Sequence, residues 1–363
     1  MTPSRRKWVL HDYLQVSGGA ERLVIALASG LPGFSLGVSG IYPAFLASGD
    51  RLDTPPRVIG AAALRLLPRI PRALAAFGRD RSWLSGAECV IYSGLYAPLA
   101  VQGQPCGKRI HYCHTPPRFA FDQLPDYLER VPACARPALR LAISRYRRAY
   151  LSAIRAMDVV VTNSAHVRER LLEQTGIEAQ VIHPPVDTRQ FRFLGQRDYY
   201  VSVGRLEPNK RVERIVRAFL AMPDKQLVVA SGGSELDALK ALAGNAPNIR
   251  FAGWLSEVDL AQLVGNAIAA LYVPKDEDFG MSAVEAMAAG KPVIAVNEGG
   301  LRESVAHGRT GILLDADPTP TAIADAVRHL PSEVALAMRP ACERRAGDFS
   351  LEGFLSAFDR IIR

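Results

Sequence analysis

Short apolar runs alternate with longer stretches of helical spacing along almost the whole chain. Residues 8–10, 89–92, 109–113, 159–162 and 180–182 read as buried strands in the first half. Residues 199–203, 227–230, 249–252, 268–273, 293–296 and 311–314 read the same way in the second. Between them lie helix-length segments such as 20–28, 167–174, 212–220 and 281–289, with apolar positions three and four apart. Strands that are apolar on both faces, separated by helices, predict an α/β fold with parallel sheets covered on each side. Residues 34–41 fit a further strand, although Gly37 and Gly40 sit where β-branched residues are expected. Strand order cannot be read from periodicity.

The pattern breaks once. Pro184 and Pro185 stop regular structure, and a polar stretch to Asp198 precedes the next strand. This predicts a first domain over 1–184, a linker over 185–198 and a second domain over 199–345. A last helix falls within 346–363. Ser350 is placed to cap it, and Leu351, Phe354, Leu355, Phe358, Ile361 and Ile362 recur at helical spacing. That stripe must pack on something.

A chain of 363 residues suits two domains and needs neither disulfides nor metal to hold a core. Its five cysteines include no C-x-x-C pair, which argues against a disulfide framework and a zinc site. A reducing cytoplasm is the expected home. No leader-like apolar run follows the basic start, and no run of about 18 apolar residues is present. The charge is uneven. Residues 1–190 carry 24 Lys and Arg against 14 Asp and Glu, while the rest carries 20 against 22. A basic first half suits nucleic acid, an anionic membrane or an anionic substrate, or is simply a solvated basic face.

Four segments carry candidate chemistry. In the first, Glu277 and Glu285 flank a turn at Gly280 and a helix start. The amides of Phe279, Gly280, Met281 and Ser282 there would make an anion-binding helix N-terminus. The two glutamates also fit plain solvated helix ends. In the second, Gly204 opens a turn from which Arg205 and Lys210 hang after a strand, where parallel sheets bind ligands. They offer a fork and a point charge to phosphate, or equally pair with Glu207 or Glu213. The third is Gly18-Gly19-Ala20-Glu21, two glycines before a helix, either a phosphate turn or an ordinary one. The fourth is His114, just past a strand and held by Pro116 and Pro117. It could donate to a sugar hydroxyl or be a satisfied structural histidine.

Taken in order, these motifs resemble those of the family-4 retaining glycosyltransferases of the GT-B fold. Within that family the chain looks like bacterial mannosyl- or rhamnosyltransferases of O-antigen and exopolysaccharide assembly. The resemblance also covers Asn163-Ser164, residues 181–187, residues 289–293 and residues 299–303. It implies two Rossmann-like domains facing each other across a cleft, with the last helix crossing back to the first domain. It implies that Arg205 and Lys210 bind the donor diphosphate and that Glu285 binds the ribose hydroxyls. Glu277 and His114 would meet the transferred sugar. Gly18 and Gly19 would approach the distal phosphate, and Ser231, Gly253, Trp254 and Leu255 would lie near ribose and base. Asp278 after Glu277, and Ala230-Ser231-Gly232-Gly233, depart from the commoner family pattern and bear on base and sugar specificity.

The activity so implied is front-face transfer of a hexose, mannose or rhamnose from a GDP-sugar, with retention and no required metal. Arg205 and Lys210 would supply the positive charge that a metal otherwise brings. The acceptor expected is a polyprenyl-diphosphate-linked glycan at the inner face of the cytoplasmic membrane. Residues 61–81 and 136–155 mix arginine with apolar and aromatic residues, as helices on anionic membranes do, and as helices packed apolar side inward also do. A UDP-sugar donor, a non-catalytic nucleotide-sugar-binding subunit, and an epimerase or phosphorylase of the same fold are the alternatives. Nucleic acid is not an expected partner, since no nucleic-acid-binding motif is present.

Overall fold

The structure is a computed structural model that describes residues 6–16, 18–46, 54–79 and 81–363. The first five residues, part of the start from which the lack of a leader was read, lie outside it, as does residue 80 within the basic stretch 61–81. The chain divides into two compact units, Met1–His183 with Leu355–Arg363, and Pro184–Phe354.

Among its described residues the first unit holds seven parallel strands: β1 (Arg6–His11), β2 (Phe34–Val38), β3 (Arg57–Val58), β4 (Ala87–Ser93), β5 (Lys108–Cys113), β6 (Val159–Thr162) and β7 (Gln180–Val181). Their order is β3-β2-β1-β4-β5-β6-β7. The helices are α1 (Gly19–Gly30), α2 (Pro43–Leu46), α3 (Arg69–Gly78), α4 (Leu124–Glu129), α5 (Arg136–Arg155) and α6 (Ala165–Thr175). Strands β1 and β4 are buried almost throughout, as their unbroken apolar runs require. Residues 34–38 do form a strand, and Gly37 has a local reason. A Cβ there would come within 2.7 Å of Leu10 on the neighbouring strand. Helix α6 opens on Ser164, whose hydroxyl accepts from the Val167 amide, and closes on left-handed Gly176.

The second unit has six parallel strands: β8 (Tyr200–Val203), β9 (Leu227–Ala230), β10 (Ile249–Gly253), β11 (Ala270–Tyr272), β12 (Val293–Val296) and β13 (Gly311–Leu314). Their order is β10-β9-β8-β11-β12-β13. Around them run α7 (Val212–Leu220), α8 (Leu236–Ala243), α9 (Glu257–Gly265), α10 (Met281–Ala288), α11 (Leu301–Ser304), α12 (Pro320–His329) and α13 (Ser332–Gly347). The core joins Val201, Val229, Leu271 and Ile294 of the sheet to Val216, Phe219, Val284 and Met287 of the helices. The polar stretch after Pro185 is not loose. Val186 and Phe191 are buried, and the Val186 amide bonds to the Phe349 carbonyl.

The last helix, α14, spans Leu351–Ile362, and the Ser350 hydroxyl accepts from the Gly353 amide at its start. Its apolar stripe finds partners in the first unit. Phe358 is fully buried with its ring 5.9 Å from that of Tyr112, and Leu355 lies against Gly30 where a Cβ would stand.

Candidate active site

Each sheet reverses its strand order at one place, between β1 and β4 in the first unit and between β8 and β11 in the second. The crevice outside the carboxyl ends of such a strand pair is where open parallel sheets bind ligands, because the two loops diverge and leave a gap.

In the second unit the two signal loops meet there. Arg205 and Lys210 follow β8, and Glu277 follows β11. Lys210 Nζ lies 2.5 Å from Glu277 Oε2 and 3.0 Å from the Tyr272 hydroxyl, which itself donates to the same Oε2 at 2.9 Å. The Lys210 and Glu277 side chains are only 14% and 17% exposed. Tyr272 ends β11, and burial, reinforced by Glu277, holds its phenol well above the usual range, so it stays a donor. Lys210 therefore pairs with Glu277, and neither Glu207 nor Glu213 takes it. Glu207 receives the Ser234 hydroxyl at 2.7 Å, and Glu213 pairs with Arg217. Arg205 stays exposed.

The backbone around this trio is tightly fixed. The Gly300 amide bonds to the Glu277 carbonyl at 2.9 Å. A Cβ on Gly299 would strike that same carbonyl, and one on Gly300 would strike the Phe279 Cα. Gly280 caps α10 at φ 89°, and a Cβ there would come within 2.6 Å of Leu301. The helix that follows buries Val284, Met287 and Ala288 as its spacing requires, together with Glu285 at 4% exposure. Met281 and Ser282, at its first turn, remain partly exposed, so their amides can be approached. The Lys275 amide bonds to the Asn209 carbonyl, and the Leu206 amide to Gly232, tying the loops after β8, β9 and β11 together. Among the described residues three non-glycine residues take left-handed backbone, and all stand in these loops: Arg211 at φ 53°, Ser231 at φ 85° and Asp276 at φ 55°. Strained backbone gathers where function over-determines it. Trp254, after β10, is 70% exposed with its indole nitrogen over Gly232. Gly253 sits beside it at φ 68°, its carbonyl accepting the Ser231 amide, and Leu255 follows, partly exposed.

In the first unit Gly18 caps α1, and Gly19 is its first residue. His114, just past β5, lies with its Nε2 2.8 Å from the Ser93 hydroxyl at the end of β4. That hydroxyl also lies 3.0 Å from Nδ1 of His11 at the end of β1. Burial pushes His114 down to about 3, with His11 and His111 adding to the effect, so its ring is neutral at ordinary pH. Next after His11 in the chain, Asp12 accepts the amides of Leu95, Tyr96 and Ala97 at 2.7–2.8 Å and fixes the loop after β4.

Sequence reasoning singled out Lys210, Glu277, Glu285 and His114, and did not single out their neighbours Tyr272, His11, Asp12 and Ser93. The last three stand at or just past the ends of strands that flank a strand-order reversal, a signal visible only once that order is known.

The model for Glycosyltransferase Family 4 matches residues 17–190, and that for Glycosyl transferases group 1 matches residues 186–344. Each half of the chain thus matches a glycosyltransferase domain model, and the two matches follow one another along the chain. Among the relatives of this chain, a glycogen synthase of Mycobacterium tuberculosis is 32% identical over 222 residues, covering 56% of this chain and 53% of the relative. A GDP-mannose-dependent alpha-mannosyltransferase of Mycolicibacterium smegmatis is 39% identical over 131 residues, 36% of this chain and 34% of that protein. The chain thus spans about half the length, or less, of the curated relatives it matches. Anabaena HepE in complex with UDP superposes with a TM-score of 0.75 over 98% of both chains at 16% identity, which establishes the shared fold. WaaG, a glycosyltransferase involved in lipopolysaccharide biosynthesis, does so at 0.68 with 16% identity, over 98% of this chain and 99% of that one.

Proposed function

We propose that this chain is a retaining, metal-independent hexosyltransferase. In this reading it moves mannose or rhamnose from a GDP-sugar to a polyprenyl-diphosphate-linked glycan in cell-surface polysaccharide assembly. The observation that carries the reading is the Lys210–Glu277–Tyr272 cluster at the β8/β11 reversal beside the N-terminus of α10. Both donors converge on Oε2 of Glu277, so Oε1 is the oxygen left for a hydroxyl of the transferred sugar.

Departure of a nucleoside diphosphate builds charge on its distal phosphate. Arg205, Lys210, the amides at the start of α10 and those of Gly18 and Gly19 are the groups that would meet it, without reorganising at the moment of reaction. Each charge-assisted contact contributes about 1.5–3 kcal/mol. Glu285 would take the ribose hydroxyls, and Ser231, Gly253, Trp254 and Leu255 the ribose and base. His114 would contact the sugar. The leaving phosphate would take the acceptor's proton.

An anionic membrane surface is the partner proposed for the first unit, at the inner face of the cytoplasmic membrane. Arg136, Arg140, Arg145, Arg147, Arg148 and Arg155 are exposed on α5, which turns Ile143, Tyr150 and Ile154 inward. Leu66, Leu67 and Ile70 are exposed beside Arg65. Among the described residues no helix is long and apolar enough to cross a membrane.

A thermal-shift panel of GDP, UDP, ADP and dTDP tests the donor. A ligand at 100 times its dissociation constant adds about 2.7 kcal/mol to folding stability. GDP alone should stabilise the protein. UDP alone would make the donor a UDP-sugar, and no response to any of them would remove the transferase reading. NMR of the product showing an inverted anomeric centre would overturn retention, and loss of turnover in EDTA would overturn metal independence.

A further inference from the structure

Helix α3 lays two arginines one turn apart, Arg69 and Arg72, over two tyrosines on the loops after β1 and β2. The guanidinium carbon of Arg69 lies 5.0 Å from the centre of the Tyr13 ring, and that of Arg72 lies 5.8 Å from the centre of the Tyr42 ring. The two tyrosine rings meet edge to face at 6.0 Å. Their loops continue the sheet and are fixed by it. Leu14 pairs with Ile41 as parallel strands do, the Leu14 amide bonds to the Gly40 carbonyl at 3.0 Å, and the Tyr42 amide bonds to the Leu14 carbonyl at 2.9 Å. Tyr13 comes two residues after β1, so the group stands at the carboxyl edge of the sheet, on a strand that borders the reversal where such sheets bind ligands.

The two arginines are not equivalent. Arg72 is taken up by the fold: its Nε donates to the Leu64 carbonyl at 3.1 Å and its Nη2 to the Arg65 carbonyl. Arg69 has neither a hydrogen-bond nor an ion-pair partner among the described residues, although its Nε is closed off from solvent. The Tyr42 hydroxyl is closed off and unpartnered in the same way. Arg69 is also the first residue of α3, so its charge meets the positive end of the helix dipole, and no acidic residue stands in that turn. Seating on Tyr13 holds the guanidinium in place but satisfies none of its N–H donors. Folded proteins seldom leave buried donors unmatched, and a held cation without a counter-charge is placed to receive an anion. The guanidinium fork matches two oxygens of a phosphoryl group.

We infer that Arg69, seated on Tyr13 beside Tyr42, is a binding site for a phosphoryl group. On the transferase reading that group belongs to the diphosphate of the acceptor, and Arg69 sets a preference for phosphorylated over free glycans. The source of the phosphate rests on that reading, whereas the site does not.

The test uses the full chain with 15N-labelled arginine. Proton–nitrogen correlation spectra of the Nε–H groups are assigned for Arg69, Arg72 and Arg205 with their lysine variants. Inorganic pyrophosphate at constant ionic strength should move the Arg69 signal saturably and leave that of Arg72, whose Nε is held by a carbonyl, in place. Dihexanoylphosphatidylglycerol, used below its micelle concentration, carries the phosphodiester of a membrane headgroup. Tighter binding of pyrophosphate supports the acceptor's diphosphate as the source, and tighter binding of the lipid would overturn that source in favour of a headgroup. An Arg69 signal unmoved by either probe, or one that only drifts together with that of Arg72, overturns the site. The Arg205 signal reports the donor loop in the same spectra, so a failure of the transferase reading shows there and not at Arg69. Arg69→Gln, which gives up no hydrogen bond, should melt closer to wild type than Arg72→Gln, which gives up two. The reverse order would make Arg69 a support of the fold and would also overturn the inference.

Discussion

The Lys210–Glu277 pair offers a test in which stability and ligand binding separate. Lys210→Met removes the cation 2.5 Å from Glu277 Oε2 and leaves a carboxylate, 17% exposed, with Tyr272 as its remaining donor. Breaking a fully buried pair costs about 3–5 kcal/mol, because the remaining charge has lost its partner and not regained water. Some water reaches these two side chains, so about 2–3 kcal/mol is the expected loss. For a unit the size of Pro184–Phe354 this lowers the melting temperature by roughly 5–10 °C. The double substitution Lys210→Met with Glu277→Gln removes both charges and should regain most of that loss. It should not regain stabilisation by GDP, because the cation proposed to face the diphosphate is still missing. Differential scanning calorimetry of the four proteins, with and without GDP, closes the cycle. A Lys210→Met protein melting within about 1 °C of wild type, or a double variant no more stable than the single one, would refute the account of a buried pair. Recovery of GDP stabilisation in the double variant would refute a phosphate role for Lys210.

Gly299→Ala should cost about 1–3 kcal/mol and most of the turnover, since its Cβ meets the Glu277 carbonyl and its backbone stands at φ 60°; wild-type turnover would show that Glu277 need not be held there. Stability should also depend on acid. Burial lowers His11 and His111 to about 4 and His114 to about 3, so the unfolded chain takes up these protons first, and stability present above pH 6.5 is lost as pH falls toward 4. Asp12, raised by burial to about 6, works the other way, its contribution being complete below pH 3.8 and lost as pH rises through 6. Asp12→Asn should therefore steepen the acid loss between pH 6 and 4 in denaturant titrations, and a shallower profile would contradict the assignment. In flotation, vesicles rich in anionic lipid should carry the protein up and neutral vesicles should not; equal behaviour would count against the basic face of α5 as a membrane contact.

Much of this was legible in the sequence. Alternating strand and helix gave the parallel sheets because strands buried on both faces leave unbroken apolar runs. Even Phe34–Val38 was readable, and its Gly37 is accounted for only by Leu10 on the next strand. The two-residue strands β3 and β7 were too short to carry a period, and residues 180–182 were readable only because Ile182 extended the run. Lys210 and Glu277 were visible as chemistry but not as partners, since 67 residues separate them and only the strand order joins them. Tyr272 was hidden for the opposite reason: an aromatic residue in an apolar strand looks like core, and its hydroxyl matters only through what it reaches. His11 and Ser93 each end an ordinary apolar strand, and nothing local marks them.

The left-handed positions Arg211, Ser231 and Asp276 bear on how such a protein could be made hardier. Glycine would relieve about 1–2 kcal/mol of steric penalty at each, so screens for heat tolerance should return to these three sites. The loops they shape would then be free to sample other paths, and the gain in endurance would be drawn from the rate of sugar transfer.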